Sequence, residues 1–165
     1  DKLVRPTWDE YFMSIVKEAA KRSTCDRKNV GAVIVKDNRI IATGYNGSPR
    51  GAPHCDEAGH LLKSIDGRDS CVRTIHAEVN AITHAREDLN GATLFVTAFP
   101  CFECSKLIIN AGIVKIYYDE YYSSRMTDVS FNLACDAGLI ISTGSMSLQF
   151  TKAGRVMATM KGPKW

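Results

Sequence analysis

The chain has 165 residues and a mass of 18.2 kDa, room for one ordinary domain whose core needs neither disulfides nor metals as a condition of folding. Hydrophobic residues at 45% and charged residues at 24% exclude disorder as the main state, and a net charge of +3 is too mild to argue by itself for a nucleic-acid or membrane partner. No apolar run approaches the roughly 18 residues of a membrane span, and the opening DKLVRPTWDE holds no apolar signal core, so secretion is not expected.

Thr7 and Glu10 have the spacing of a capping box, and Trp8, Tyr11, Phe12, Ile15, Val16, Ala19 and Ala20 then recur at helical spacing up to about Arg22. After STCDRKN, the β-branched run GAVIVK turns at Asp37-Asn38 into RIIATGY, which predicts a hairpin. Gly and Pro forbid regular structure over most of NGSPRGAPHCDEAGH, and the stretch from Leu61 to Asp69 carries no clear period. Thr74 to about Arg86 reads as a helix with Ile75, Val79, Ala81 and Ile82 inward, Asn90-Gly91 breaks it, and ATLFVTA is a strand. Pro100 opens a further helix that Gly112 closes, IVKIYY is the next strand, and the polar loop EYYSSRMTD leads into the helix VSFNLACDAG and a short strand LIIS. Strands joined through helices should lie parallel, with helices on both faces of one sheet. The whole of 1–165 therefore reads as one α/β domain, with 143–165 as a polar, basic tail that is either partly ordered or an arm onto a partner.

Six Cys are too few for a disulfide scaffold of this length, and in a reducing compartment Cys beside His reads as metal chemistry. Two short motifs matter: His76-Ala77-Glu78 at one helix start and Pro100-Cys101-Phe102-Glu103-Cys104 at the next. Each is weak alone, but together they bring three soft ligands into one pocket with a carboxylate two residues from the His, the signature of zinc-dependent deaminases. Two thiolates and a neutral imidazole offset the charge of Zn²⁺ and leave a fourth tetrahedral position for water. Helix N-termini favour ionised Cys101 and Cys104, and Zn²⁺ brings the pKa of bound water from about 15.7 toward roughly 7. Glu78 then has the work of taking the water proton and delivering it to the ring nitrogen and the departing ammonia. The competing reading is a purely structural Cys₂His site with Glu78 as a surface charge or a fourth ligand.

These motifs, with VGAVIV, GYNGSPRG and CxxCxxxIxxAGI, resemble the deoxycytidylate (dCMP) deaminase family within the cytidine-deaminase superfamily, from about Trp8 to Ile140. The resemblance implies a three-layer α/β/α sandwich on a five-stranded mixed sheet and hydrolysis of dCMP to dUMP and ammonia, supplying dUMP for thymidylate synthesis. It also implies a hexamer, activation by dCTP with Mg²⁺, inhibition by dTTP, and a cytoplasmic location (the host's if the chain is viral). It makes Asn46 a substrate residue, whose two-sided amide suits ribose and base; Gly44 and Gly47 would let backbone approach a nucleotide closely. The competing reading is a loop needing Gly and Asn only for positive φ. Arg27 is a phosphate candidate by its guanidinium, or else a solvated charge. The family offers a tyrosine to phosphate, which Tyr121 or alternatively Tyr122 supplies here. The Ala77 N–H and a carbonyl near Phe99 are candidates for reading the cytosine edge. Arg50 in GSPRG is a candidate for an effector site between subunits, or an exposed turn, and His84 is assigned no chemistry.

Of the remaining cysteines, Cys135 sits among Leu133, Ala134 and Ala137 and reads as a small core residue. Cys25, Cys55 and Cys71 fall in irregular segments, and some family members carry a Cys in a second zinc site where His60 stands here. The resemblance thus implies a closed Cys₃His zinc site of Cys25, Cys55, His60 and Cys71, with His54 as the competing ligand and free thiols as the plain alternative. A nucleic-acid base deaminase with the same zinc chemistry is the second functional reading; it would need a stripe of interleaved basic and aromatic residues for a polyanion, and none is visible, so no nucleic-acid partner is expected. A non-catalytic zinc module is the third, and it has no use for Glu78.

Overall fold

In the computed structural model, residues 3–26, 28–65, 67–122, 125–144, 146–150 and 156–160 are described. The first helix, α1 (Trp8–Ala20), starts with the expected capping box: Glu10 N–H donates to Thr7 Oγ1 at 3.2 Å and Thr7 N–H donates to Glu10 Oε2 at 3.0 Å. Its apolar stripe places Phe12, Met13, Val16 and Ala20 inward. The hairpin β1 (Gly31–Lys36) and β2 (Arg39–Tyr45) turns through Asp37 and Asn38 at φ 51° and 58°, the two positive values a two-residue turn of the primed type requires. A register shift beyond Ile34 adds one residue on β2, so Ile34 pairs Ala42 while Val35 pairs Ile40.

Next come the one-turn α2 (Cys55–Ala58) and an isolated ribbon of β3 (Leu62–Ile65) with β4 (Arg68–Cys71), the segment whose sequence carries no clear period. α3 (Ala77–His84), β5 (Thr93–Ala98), α4 (Phe102–Asn110), β6 (Lys115–Glu120), α5 (Arg125–Asp136) and β7 (Ile140–Thr143) follow as helix and strand in alternation. α5 begins four residues earlier than the sequence pattern suggests, because its first turn holds a single apolar residue, Met126, and shows no period. Two further strands follow among the described residues, β8 (Met146–Phe150) and β9 (Val156–Met160).

The main sheet runs β2-β1-β5-β6-β7-β8-β9. β1 lies antiparallel to both β2 and β5, so the crossover through α3 makes β2 and β5 parallel to each other with β1 between them; β5, β6 and β7 continue parallel. The first five strands are the mixed sheet expected, and the count of seven differs because the tail adds β8 and β9 antiparallel at the far edge. Both faces are covered. Phe12, Met13 and Val16 of α1 pack with Val33, Val35, Phe95 and Tyr117 on one side. On the other, Ile34, Leu94, Val96 and Ile116 join Ala81, Ile108, Ala134 and Cys135 of the remaining helices, so Cys135 is the core residue its neighbours suggested. Among the described residues no helix is long and apolar enough to cross a membrane.

What this topology does for the site is simple. The parallel strands β2 and β5 end on the same side of the sheet; β5 leads directly into α4, while β2 leads through α2 and the β3–β4 ribbon into α3, which packs beside α4. Gly44 near the end of β2 allows the close fit: a Cβ there would stand 2.3 Å from Ala77 O and 2.6 Å from Ala81 N.

Candidate active site and second metal cluster

His76 is the N-cap of α3 and Cys101 the N-cap of α4, both with extended backbone. Ser, Thr, Asp or Asn at such positions would cap the first-turn N–H groups, worth about 1 kcal/mol. Neither His76 nor Cys101 does so; both side chains turn toward each other instead. His76 Nδ1 lies 3.3 Å from Cys104 Sγ and 3.4 Å from Cys101 Sγ, and the three donor atoms all fall within 4.8 Å of one another. Tetrahedral zinc with bonds of about 2.3 Å to sulfur and about 2.0 Å to nitrogen separates S and N by about 3.5 Å, so the donor set fits this metal. Cys104 is buried, Cys101 partly so and His76 exposed, which leaves the cluster open on one side.

Glu78, two residues into α3, is 4% exposed and hydrogen-bonds the Cys104 thiol, yet it stands outside the converging donor group. The donor group itself thus comprises three atoms, with the carboxylate beside it. Burial pushes the Glu78 carboxyl up from its ordinary range, with the Cys104 hydrogen bond opposing it. Between the cysteines, the hydrogen bond from Cys104 holds Cys101 down at about 4, while that same shared proton and burial raise Cys104. The hydrogen bond to Cys101 raises the His76 imidazole. A dication drawing on all three displaces these protons, which is the ordinary behaviour of thiolate sites.

The second cluster brings together four donors rather than three. Cys25 after α1, Cys55 at the start of α2, His60 beyond it and Cys71 at the end of β4 place one donor atom each within 4.8 Å of the others. Cys55 Sγ is 3.5 Å from Cys71 Sγ and Cys25 Sγ is 3.5 Å from His60 Nδ1, again compatible with tetrahedral zinc, where sulfurs stand about 3.8 Å apart. Burial and the Cys71 hydrogen bond push Cys55 up to about 12. Burial also raises Cys71, but N–H donation from Arg73, the His60 ring and Leu61 outweigh it, giving about 6. The His60 Nε2 faces Asp26 at 2.9 Å. His54 takes no part: its Nδ1 accepts from Ser48 N–H at 3.4 Å and pairs with Thr24 Oγ1 at 2.9 Å.

The substrate candidates divide. Asn46 is buried; its Oδ1 accepts from Val30 N–H at 2.8 Å and its Nδ2 donates to Lys28 O at 2.6 Å, which ties down the segment before β1. Among the described residues these two bonds use one lone pair and one N–H of the amide. The next residue, Gly47, bridges Ile75 in both directions at 2.8 and 3.2 Å, so this segment runs beside His76. Gly44 is not held open for a nucleotide as the sequence suggested; the backbone it admits is that of α3. Ala77 is buried in the first turn of α3, and Phe99 packs edge-on to Tyr118 just before Pro100. Tyr121 packs on Phe99 and Phe131 and donates to Asp128 Oδ1 at 2.6 Å, and Tyr122 donates to Glu120. Arg27 lies outside the described residues. Arg50 is in an exposed turn, and His84 is exposed with Nδ1 donating to Asn80 O at 2.8 Å.

Lys28 escaped the sequence reading. Its ammonium lies 5.0 Å from the centre of the Tyr122 ring, and its charge acts on His76. A lysine in a loop carries no motif; only the packing of that loop on Asn46 brings it to this rim.

Comparison with known proteins agrees with this geometry. The model of the cytidine and deoxycytidylate deaminase zinc-binding region matches residues 6–120. A deoxycytidylate deaminase of Mycobacterium phage D29 is 48% identical over 123 residues, covering 69% of this chain and 95% of the relative. One of Saccharomyces cerevisiae is 39% identical over 160 residues, 94% of this chain but 49% of the yeast protein, so the chain spans about half of that relative. Among solved structures, the dCMP deaminase of cyanophage S-TIM5 in complex with dCMP and dUMP superposes with a TM-score of 0.70 at 32% identity, covering 86% of this chain and 100% of that one. With the fold, the open donor cluster and these matches in agreement, the chain belongs to the zinc-binding cytidine and deoxycytidylate deaminase family.

Proposed function

We propose that this protein hydrolyses dCMP to dUMP and ammonia. The observation that carries the reading is the open three-donor cluster of His76, Cys101 and Cys104 with the buried carboxylate of Glu78 beside it but outside the donor group. His76 Nδ1 and the two thiolates hold Zn²⁺. When bound, the ion supplies the positive charge that lets water lose a proton near neutral pH. Glu78 takes that proton and places it on the ring nitrogen next to the reacting carbon while the water oxygen bonds to that carbon. It then takes the second proton from the added oxygen and gives it to the amine as the carbon–nitrogen bond breaks, leaving a carbonyl and ammonia. The Ala77 N–H and the Phe99 carbonyl hold the pyrimidine edge. The spare valences of Asn46 hold the sugar, and Arg27, Tyr121 and Lys28 take the phosphate. Tyr121 then exchanges its Asp128 bond for the ligand.

Cys25, Cys55, His60 and Cys71 hold a second, structural zinc that staples the loop between the hairpin and α3. Finer expectations rest on the family resemblance: a homohexamer, dCTP with Mg²⁺ as activator and dTTP as inhibitor, Arg50 near the effector, and a cytoplasmic location. The deciding experiment is ammonia release from dCMP, CMP, deoxycytidine, dCTP and single-stranded oligonucleotides, each with and without dCTP and dTTP. Turnover of dCMP above the others is expected. Reaction with oligonucleotides and not with dCMP would overturn the reading in favour of a nucleic-acid deaminase.

A further inference from the structure

Behind the open cluster, two serines lie fully buried in an otherwise apolar interface between α4 and α5. Ser105 and Ser130 are each 0% exposed. Ser130 Oγ stands 2.7 Å from the Pro100 carbonyl oxygen and 2.5 Å from Ser105 Oγ. A carbonyl has no proton to give, so Ser130 donates to Pro100, and its oxygen accepts from the Ser105 hydroxyl. The direction of the chain is therefore fixed as Ser105 to Ser130 to Pro100. Buried hydroxyls are costly unless paired, and helical serines commonly bond a carbonyl one turn back in their own helix. Ser130 instead reaches across to the residue that precedes the first thiol.

Cys101 has particular need of such an anchor. It is an N-cap whose side chain caps nothing, so capping does not fix its direction. Cys104, by contrast, lies inside α4. The Pro100–Cys101 peptide is planar, and the pyrrolidine ring fixes φ on the Pro100 side. Holding the Pro100 carbonyl thus fixes the plane from which Cys101 departs.

We infer that Ser130 is a positioning residue for the catalytic metal loop, setting the approach of Cys101 through the Pro100 carbonyl, with Ser105 orienting the Ser130 hydroxyl. The inference rests on Cys101 being a metal ligand, and the test separates the two. Zinc release to a chelator is followed for the purified holoenzyme, taking the phase that Cys101→Ser abolishes as the catalytic site. Ser130→Ala should release that zinc roughly 10- to 100-fold faster, the usual effect of losing a group that orients a ligand. It should also lower kcat with KM little changed, and shift the thiolate-to-cobalt bands of the Co²⁺-substituted enzyme. Ser105→Ala, which keeps the bond from Ser130 to Pro100, should change release by less than about threefold, since only the outer hydrogen bond is lost. Ser130→Cys keeps the volume with a weak donor and should fall between wild type and Ser130→Ala.

Wild-type release and cobalt spectra in Ser130→Ala overturn the inference, as does a Ser105→Ala variant that matches Ser130→Ala in both. If the alanine variant does not fold, Ser130→Cys decides, and wild-type release from it overturns the inference equally. If Cys101→Ser keeps the full zinc content, it is the metal reading that fails, whatever the serines do.

Discussion

The Nδ1 atom of His76 stands 3.3 Å from the sulfur of Cys104, a residue 28 positions away in sequence, across the junction of two helix starts. The contact exists because the parallel strands β2 and β5 end on one side of the sheet and α3 and α4 pack against each other. Loss of either motif therefore removes the same metal. Cys101→Ser and His76→Ala should each lower zinc content by one ion per chain and reduce turnover at least 10³-fold, as expected where the metal generates the nucleophile. Metal analysis by atomic emission beside an ammonia-release assay checks this; a variant that keeps both the ion and the activity would count against the assignment.

Glu78→Gln tests the proton carrier without disturbing the donors. The amide keeps the shape of the buried carboxyl and lacks the ionised form that burial makes costly. Zinc content and melting temperature should stay at wild-type values or, for the latter, rise slightly. Proton transfer by a positioned group contributes about 10²–10⁴-fold, so kcat should fall by about that factor. Full activity in this variant would remove Glu78 from the mechanism.

The second cluster distinguishes two histidines only six positions apart. His60 Nδ1 faces Cys25, whereas His54 Nδ1 is engaged by Thr24 and Ser48. His60→Ala and Cys71→Ser should each lose one zinc and lower the melting temperature, because the ribbon of β3 and β4 pairs only with itself and is rooted at Cys71. His54→Ala should keep both zinc ions. One zinc per chain in the wild type, unchanged by Cys71→Ser, would dispose of the second site.

How much of this was legible in advance follows from how locally each feature is encoded. His76 to Glu78 and Pro100 to Cys104 are compact motifs at helix starts, so their convergence could be read from residue types and spacing. Cys25, Cys55, His60 and Cys71 are scattered through irregular chain, and choosing them required a resemblance to relatives. The choice of His60 over His54 depends on the path of the loop, which no period encodes. Gly44 was misread for the same reason: its sequence neighbours suggest a nucleotide loop, while the atom a Cβ would strike belongs to α3. The strands β8 and β9 were missed because MSLQF and VMATM are runs of only five residues, set among the Gly and Lys residues of a tail whose overall composition reads as polar and basic.

Gly44 supplies a prediction of its own. In Gly44→Ala the new methyl meets the Ala77 carbonyl at 2.3 Å, and both partners are backbone with no side chain to swing away. α3 must shift, at a cost of about 1–3 kcal/mol. Because His76 begins that helix, zinc affinity should fall together with melting temperature. A variant as stable as wild type with unaltered zinc release would show that the contact is softer than its distance implies.

Lys28 allows substrate class to be tested through charge alone. Its ammonium lies at the rim by Tyr122 and acts on His76 without touching the donor sulfurs. If it faces the phosphate, Lys28→Ala should raise KM for dCMP about tenfold, since a charge-assisted hydrogen bond contributes roughly 1.5–3 kcal/mol when intact and less where solvent reaches it. kcat should stay near wild type, because the lost contact binds ground state and transition state alike. Deoxycytidine, which has no phosphate, should be turned over equally well by both proteins. A KM that rises to the same extent for deoxycytidine and dCMP would place Lys28 in the support of the loop through Asn46 rather than against the ligand's charge.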